Sequence, residues 1–189
     1  YPFSHRLLEE LAEGGDWWRV SGNEALEWSP ALVDQFADKW SWWMFAGNNA
    51  LPWSDVLVKK YAKKWKWDRL SQNTRLPWNE ALIEKYIKKW DWKHLSLNPA
   101  LPWSPELIEK YADHWDWFNL GANPALPWQP NLMETYATRW NAYTLSGNEG
   151  MPWDENWSDQ FDNQWDSCRL SGNPALPWTE AFFAKYAHK

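Results

Sequence analysis

The residues that most often do chemistry are few in this chain, and their spacing does not gather them. The 189-residue sequence has four histidines, His5, His94, His114 and His188, and a single cysteine, Cys168. The histidines stand at no metal-ligand spacing and there is no Cys-x-x-Cys pair, so no metal site is predicted. The sequence has neither a glycine-rich phosphate loop nor a serine, histidine and acid in a recognisable nucleophile context. Carboxylates are plentiful but fall on the solvated faces of predicted helices, so no glycosidase-type pair stands out. The chain is therefore expected to be no enzyme and to hold no cofactor.

Binding chemistry is better represented. Lys59, Lys60, Lys63, Lys64 and Lys66 form a basic face next to aromatic residues. Nucleic acid would suit such a face, but the whole chain has 25 acidic against 19 basic side chains, a net charge of -6. That balance argues against the basic footprint of a nucleic-acid binder. The 21 tryptophans are the other resource, because aromatic rings are good platforms for stacking and for hot spots in protein interfaces.

What positions these residues is a repeat. Tryptophans at 28, 53, 78, 103, 128, 153 and 178 recur every 25 residues, and Phe3 holds the same place one period earlier. The repeats are 3–27, 28–52, 53–77, 78–102, 103–127, 128–152 and 153–177, with a half repeat at 178–189. A fixed period in this range marks a solenoid in which each unit packs on its neighbours. The residues at 1–189 are accordingly read as a single array. Of the 21 tryptophans, 18 lie at repeat positions 1, 13 and 15. Positions 1 and 13, namely Trp28, Trp40, Trp53, Trp65, Trp78, Trp90, Trp103, Trp115, Trp128, Trp140, Trp153, Trp165 and Trp178, are predicted to be structural core. Position 15 (Trp17, Trp42, Trp67, Trp92 and Trp117) is predicted to serve mainly in packing between repeats. If position 15 rather than 1 and 13 were half exposed, a tryptophan-lined groove for a glycan or peptide would gain ground.

Within a repeat, position 2 is mostly a helix-capping type (Ser29, Ser54, Asn79, Ser104), and proline follows it at Pro30, Pro105 and Pro130, the first helical position. Apolar residues at positions 5, 9 and 13, such as Leu107, Tyr111 and Trp115, form one stripe. These signals predict a helix A of about three turns, with positions 7, 8, 11 and 12 facing away. A second capping type at position 14 and a Trp–Leu pair at positions 15 and 18 predict a very short helix B. Position 21 is Asn in all seven repeats, at 23, 48, 73, 98, 123, 148 and 173. Its side chain is expected to organise a turn, after which the chain should run extended to the next repeat. The fold class predicted is all-α, an α-solenoid of two-helix repeats joined by extended Asn-Pro linkers.

Departures from the pattern are where function has room. Repeat two reads Trp42, Trp43, Met44, Phe45, and this longer apolar run is read as a fatter core rather than a contact patch. Repeat seven has Trp157 in place of an aliphatic residue, a candidate partner pocket beside the five lysines. Charge is uneven: repeat three has seven basic and two acidic side chains, net +5, whereas repeats one and seven are each net -4. The unfinished half repeat predicts that the natural chain continues.

The motif W-S-x-E-L-I-E-K-Y-x-x-K-W-D-W-x-x-L-S-x-N-P-x-L-P-W, clearest between Trp78 and Trp128, resembles tryptophan-rich tandem repeats of bacterial proteins. It is also similar to the N-P-x-I-T-W repeats of some giant-virus proteins. The resemblance implies a repeat scaffold and transfers no catalytic or ligand residue. The chain is thus expected to be a scaffold for protein recognition. The alternatives are glycan or peptide binding in a Trp-lined groove, or head-to-tail self-association through its ends. No run of residues is long and apolar enough for a membrane span, and the lone cysteine favours a reducing, cytoplasmic compartment.

Overall fold

The computed structural model describes residues 8, 10, 16–153, 165–180 and 184. Among these residues the chain is all-α, with twelve short helices and no strand. Helix A appears as α2 (Pro30–Gln35), α4 (Asp55–Lys60), α6 (Glu80–Lys85), α8 (Pro105–Lys110) and α10 (Pro130–Thr135). Helix B appears as α1 (Trp17–Ser21), α3 (Trp42–Gly47), α5 (Trp67–Gln72), α7 (Trp92–Leu97), α9 (Trp117–Gly121), α11 (Ala142–Ser146) and α12 (Ser167–Ser171). The result is a solenoid of short two-helix repeats. The chain divides into two compact units, Tyr1–Pro102 and Trp103–Lys189, and the division coincides with the boundary between repeats four and five.

Helix A starts where the capping residues place it. The side chains of Ser29, Ser54, Asn79 and Ser104 accept hydrogen bonds from the backbone N–H three residues on, satisfying one of the orphan donors of the first turn. Gln129, one methylene longer than Asn, makes no such bond.

Helix A is shorter than expected: six residues at positions 3–8, followed by a tight turn rather than a second and third helical turn. The tryptophans meet the carbonyl that this ending leaves open. In a continuing helix the carbonyl at position 6 would accept from the N–H at position 10. Here Trp40 Nε1 donates to Val33 O at 3.0 Å, and Trp65, Trp90 and Trp115 do the same to Val58, Ile83 and Ile108 at 3.1 Å. The displaced N–H groups of Ala37, Ala62, Ile87 and Ala112 turn to the carbonyl three residues back. An indole thus supplies the donor that a helix end lacks. Position 15 repeats the device one step later, with Trp42, Trp67, Trp92 and Trp117 donating to the carbonyls of Ala37, Ala62, Ile87 and Ala112. Trp140 departs from this pattern, its buried Nε1 being left without an acceptor.

The linker opens with two tight turns before it extends. Asn23, Asn48, Asn73, Asn148 and Asn173 each accept, through the carbonyl O, the next position-1 indole N–H at 2.8–3.1 Å, and for Asn123 the distance is 3.2 Å. Its Oδ1 takes the N–H two residues on, as in Ala50 to Asn48 and Ala100 to Asn98, the turn expected of asparagine. The Leu or Met three residues after the Asn is then buried, and its carbonyl accepts from the position-1 N–H, as in Trp53 to Leu51 at 2.7 Å.

Two further ties join successive repeats. In the first unit Asn48 Nδ2 donates to Ser21 O at 2.9 Å, Asn73 Nδ2 to Ala46 O at 2.9 Å, and Asn98 Nδ2 to both Ser71 O and Asn73 O. In the second unit Asn148 reaches Gly121 O and Asn123 O, and Asn173 reaches Ser146 O and Asn148 O. These asparagines are at most 3 % exposed, so the ladder meets backbone groups that water does not reach. Position 19 adds a hydroxyl bridge: Ser71 Oγ donates to Trp67 O and accepts from Asp91 N, and Ser21 and Ser146 make the same pair of contacts.

The aromatic core follows the same logic. Position 1 meets position 13 within a repeat, as in Trp53–Trp65 at 5.2 Å and Trp103–Trp115 at 4.9 Å. Position 15 meets positions 9 and 13 of the next repeat, as in Trp42 with Tyr61 and Trp65, Trp67 with Tyr86 and Trp90, and Trp117 with Tyr136 and Trp140, all within 4.7–4.8 Å. These distances suit tilted and edge-to-face contact.

Candidate interaction surface

Trp40, Trp65, Trp90, Trp115 and Trp140 are buried at 4–6 % exposure. Trp128 and Trp153 are also buried, Trp28, Trp53, Trp78, Trp103 and Trp165 are half-buried, and Trp178 is exposed. The position-15 rings are half-buried as well. Half-exposure therefore does not single out position 15. A continuous row of free indoles is not what the repeat presents, since the N–H groups at positions 1 and 15 are engaged with the backbone.

The five lysines separate. Lys60 Nζ lies 2.7 Å from Asp34 of the preceding repeat, and the Tyr61 hydroxyl donates to that carboxylate at 2.6 Å. Hydrogen bonds from Lys60 and then Tyr61 hold the Asp34 carboxyl below its ordinary pKa. Burial and then the bond to Asp34 push the Tyr61 phenol up to about 12. A phenol held protonated in the fold contributes stability that is complete below the unfolded value near 10 and is lost as pH rises from about 10 to 12. Burial raises Tyr136 as well, so absorbance titration of the phenolates is expected to show a late component that shrinks by one tyrosine in Tyr61→Phe. A wild-type titration without that late component would refute the contact.

Lys64 was expected to face away, and it reaches back instead. Its Nζ donates to Ala37 O at 3.1 Å, pairs with Asp38 at 2.7 Å and stands 5.4 Å over the Trp42 ring. The Lys64 hydrogen bond and charge hold the Asp38 carboxyl low. Lys89 and Arg139 repeat the clamp on Ala62 O over Trp67 and on Ala112 O over Trp117. At Lys64, Lys89 and Arg139 position 12 is thus a joint between repeats. Lys59, Lys63 and Lys66 are exposed and make no ion pair among the described residues. Trp157 lies outside the described residues.

What the joints leave over is position 16, on the outer side of helix B. Trp18 and Trp43 in the first unit are 55 % and 43 % exposed, and Phe118 and Tyr143 in the second are 50 % and 44 % exposed. Trp43 is therefore no part of a fatter core. Phe45 takes the buried place of the usual leucine at position 18, and Trp43, two residues earlier, points outward. The Arg69 guanidinium lies 4.2 Å from the Trp43 ring centroid. In the second unit Arg169 lies 4.1 Å from Tyr143, which in turn stacks on Phe118 at 6.2 Å.

Each arginine passes close over a glycine. A Cβ on Gly47 would come within 3.0 Å of Arg69 Nη2, and one on Gly147 within 3.1 Å of Arg169 Nη1. Gly22 is crowded in the same way by Met44. The signal was in the sequence, as an aromatic residue at position 16, Gly at position 20 and a long side chain at position 17 of the next repeat. It escapes notice because it spans two repeats and occurs in only some of them.

Beside Trp43 is a depression of about 500 Å³ lined by Ala37, Asp38, Trp40, Ser41, Trp42, Trp43, Lys64 and Lys66. It brings two of the five lysines together with the aromatic run of repeat two. Among the described residues no three His, Cys, Asp or Glu side chains could hold a metal ion, and no helix is long and apolar enough to cross a membrane. The chain matches no known protein family, no curated protein and no solved structure, so the periodic aromatic clusters and helical repeats are what identify it: a tryptophan-rich tandem helical repeat protein.

Proposed function

We propose that the chain is a non-enzymatic scaffold that recognises proteins through the outer side of its B helices. The observation that carries this reading is the exposed position-16 pair within each unit. Most other tryptophans pack between or within repeats, while Trp18, Trp43, Phe118 and Tyr143 turn outward, and two of the four rings are braced by an arginine. Trp, Tyr and Arg are the residues that dominate protein interfaces, and fixing a ring in advance reduces the entropy lost on binding.

Affinity capture from the source lysate after nuclease treatment tests it, comparing the chain with a Trp43→Ser, Tyr143→Ser double variant. A discrete protein is expected to remain after nuclease and to fall about tenfold or more in the variant, a loss of roughly 1.4 kcal/mol. Loss of the partner on nuclease treatment would contradict the reading. So would recovery of the chain alone, which points to self-association, or of glycans, which points to a sugar platform.

A further inference from the structure

The depression beside Trp43 has a composition that selects among protein partners. One wall is fixed: Trp42 lies under Lys64, whose ammonium is spent on Ala37 O and Asp38. The other wall is Trp43, braced by Arg69. At the rim stands Lys66, exposed and without an ion pair. Asp38, the carboxylate of the site, is already neutralised by Lys64. An incoming group therefore meets rigid aromatic surface and an unpaired cation, at the seam between repeat two, net -1, and repeat three, net +5.

We infer that this depression docks an acidic peptide segment carrying an aromatic or aliphatic anchor, the anchor against Trp43 and the carboxylates toward Lys66. This deepens the scaffold reading and rests on it. A neutral glycan would need acceptor carboxylates and amides beside the ring for its hydroxyls, and the one carboxylate here is occupied. A nucleic-acid strand would need the basic charge to continue along the surface, whereas repeat one is net -4. A volume of about 500 Å³ accommodates side chains rather than a folded element, and steering by unlike charge favours acidic flanks.

The test is selection of a displayed library of random 12-residue peptides on the intact chain. Enriched peptides are then measured against wild type, Trp43→Ala, Lys66→Glu and Lys88→Glu. Lys88 is an exposed lysine on repeat four and controls for a general charge effect. Enriched peptides are expected to place Asp or Glu beside an aromatic or aliphatic residue. Their Kd should rise about tenfold in Trp43→Ala, equivalent to roughly 1.4 kcal/mol, and severalfold in Lys66→Glu, but stay within about twofold in Lys88→Glu. The melting curve of Trp43→Ala should match wild type, since the ring is outside the core. Enriched peptides that lack acidic residues, or that bind Trp43→Ala as tightly as wild type, would overturn the inference while leaving a protein scaffold with its site elsewhere. If no peptide is enriched and no protein survives in the lysate capture, the scaffold reading falls as well.

Discussion

Trp90→Ala is expected to destabilise the protein by about 3–5 kcal/mol, the range for deleting a large buried aromatic side chain. The ring is 5 % exposed and meets Trp67 at 4.8 Å, Trp78 at 5.0 Å and Tyr86 at 6.2 Å. Three losses coincide. The repeat loses its own contact between positions 1 and 13. The contact from position 15 of the preceding repeat goes too, so coupling between neighbours weakens, and in a solenoid that coupling supplies much of the cooperativity. Ile83 O also loses the indole that caps it at 3.1 Å, leaving a buried carbonyl to find another donor. Urea unfolding followed by far-UV circular dichroism measures the effect. A variant curve that overlays wild type would show that position 13 does not hold the array together.

Asn98→Asp is expected to cost on the order of 2–4 kcal/mol, although it changes one atom and almost no volume. The amide donates to Ser71 O at 2.9 Å and to Asn73 O at 3.2 Å while Oδ1 accepts from Ala100 N at 3.0 Å. The residue is 3 % exposed. In the aspartate both donated bonds vanish and a carboxylate oxygen faces two carbonyl oxygens. Leaving buried acceptors unpaired costs about 1–3 kcal/mol each, and burying the charge adds to that or raises its pKa. The sign with pH follows. The aspartate's folded pKa should be raised, so the variant is least unstable at acid pH and loses stability as pH rises above its unfolded value near 3.9. Unfolding at pH 4 and pH 7 compares the two states. An Asn98→Asp variant as stable as wild type at pH 7 would mean that position 21 is only a turn residue.

That asparagine shows where sequence reasoning stops. An Asn recurring every 25 residues announces a structural demand, and its turn chemistry is local enough to read directly. The second role depends on its amide meeting a carbonyl 25 or 27 residues earlier, a distance fixed by how repeats stack and visible only in three dimensions. The tryptophans behave likewise. Their spacing is enough for the period, the apolar positions 5, 9 and 13 and the buried place of Trp40 and Trp65, but not for the helix, which ends before positions 9 and 13. It did not reveal that the indole N–H groups of Trp40, Trp65, Trp90 and Trp115 take the carbonyl at position 6, where helix A has already turned. Lys64 was misplaced for a related reason. A charged residue four past a charged residue reads as a solvated face, yet a long side chain can lie back over its neighbour's helix end when a ring and a carboxylate receive it. Trp43 was read as core because it adjoins Trp42 and Phe45. Three consecutive side chains of a helix point in three directions, and the repeat already had its inward pair at positions 15 and 18.

The described tryptophans divide into those committed to the repeat and those turned outward. Hydroxyl-radical footprinting of the free chain, read tryptophan by tryptophan by mass spectrometry, measures that division directly. Trp18 and Trp43 should oxidise fastest and Trp40, Trp65, Trp90 and Trp115 slowest, with position 15 between them, in the order of their exposure. Oxidation of Trp90 at the rate of Trp43 would contradict both the core and the surface proposed from it.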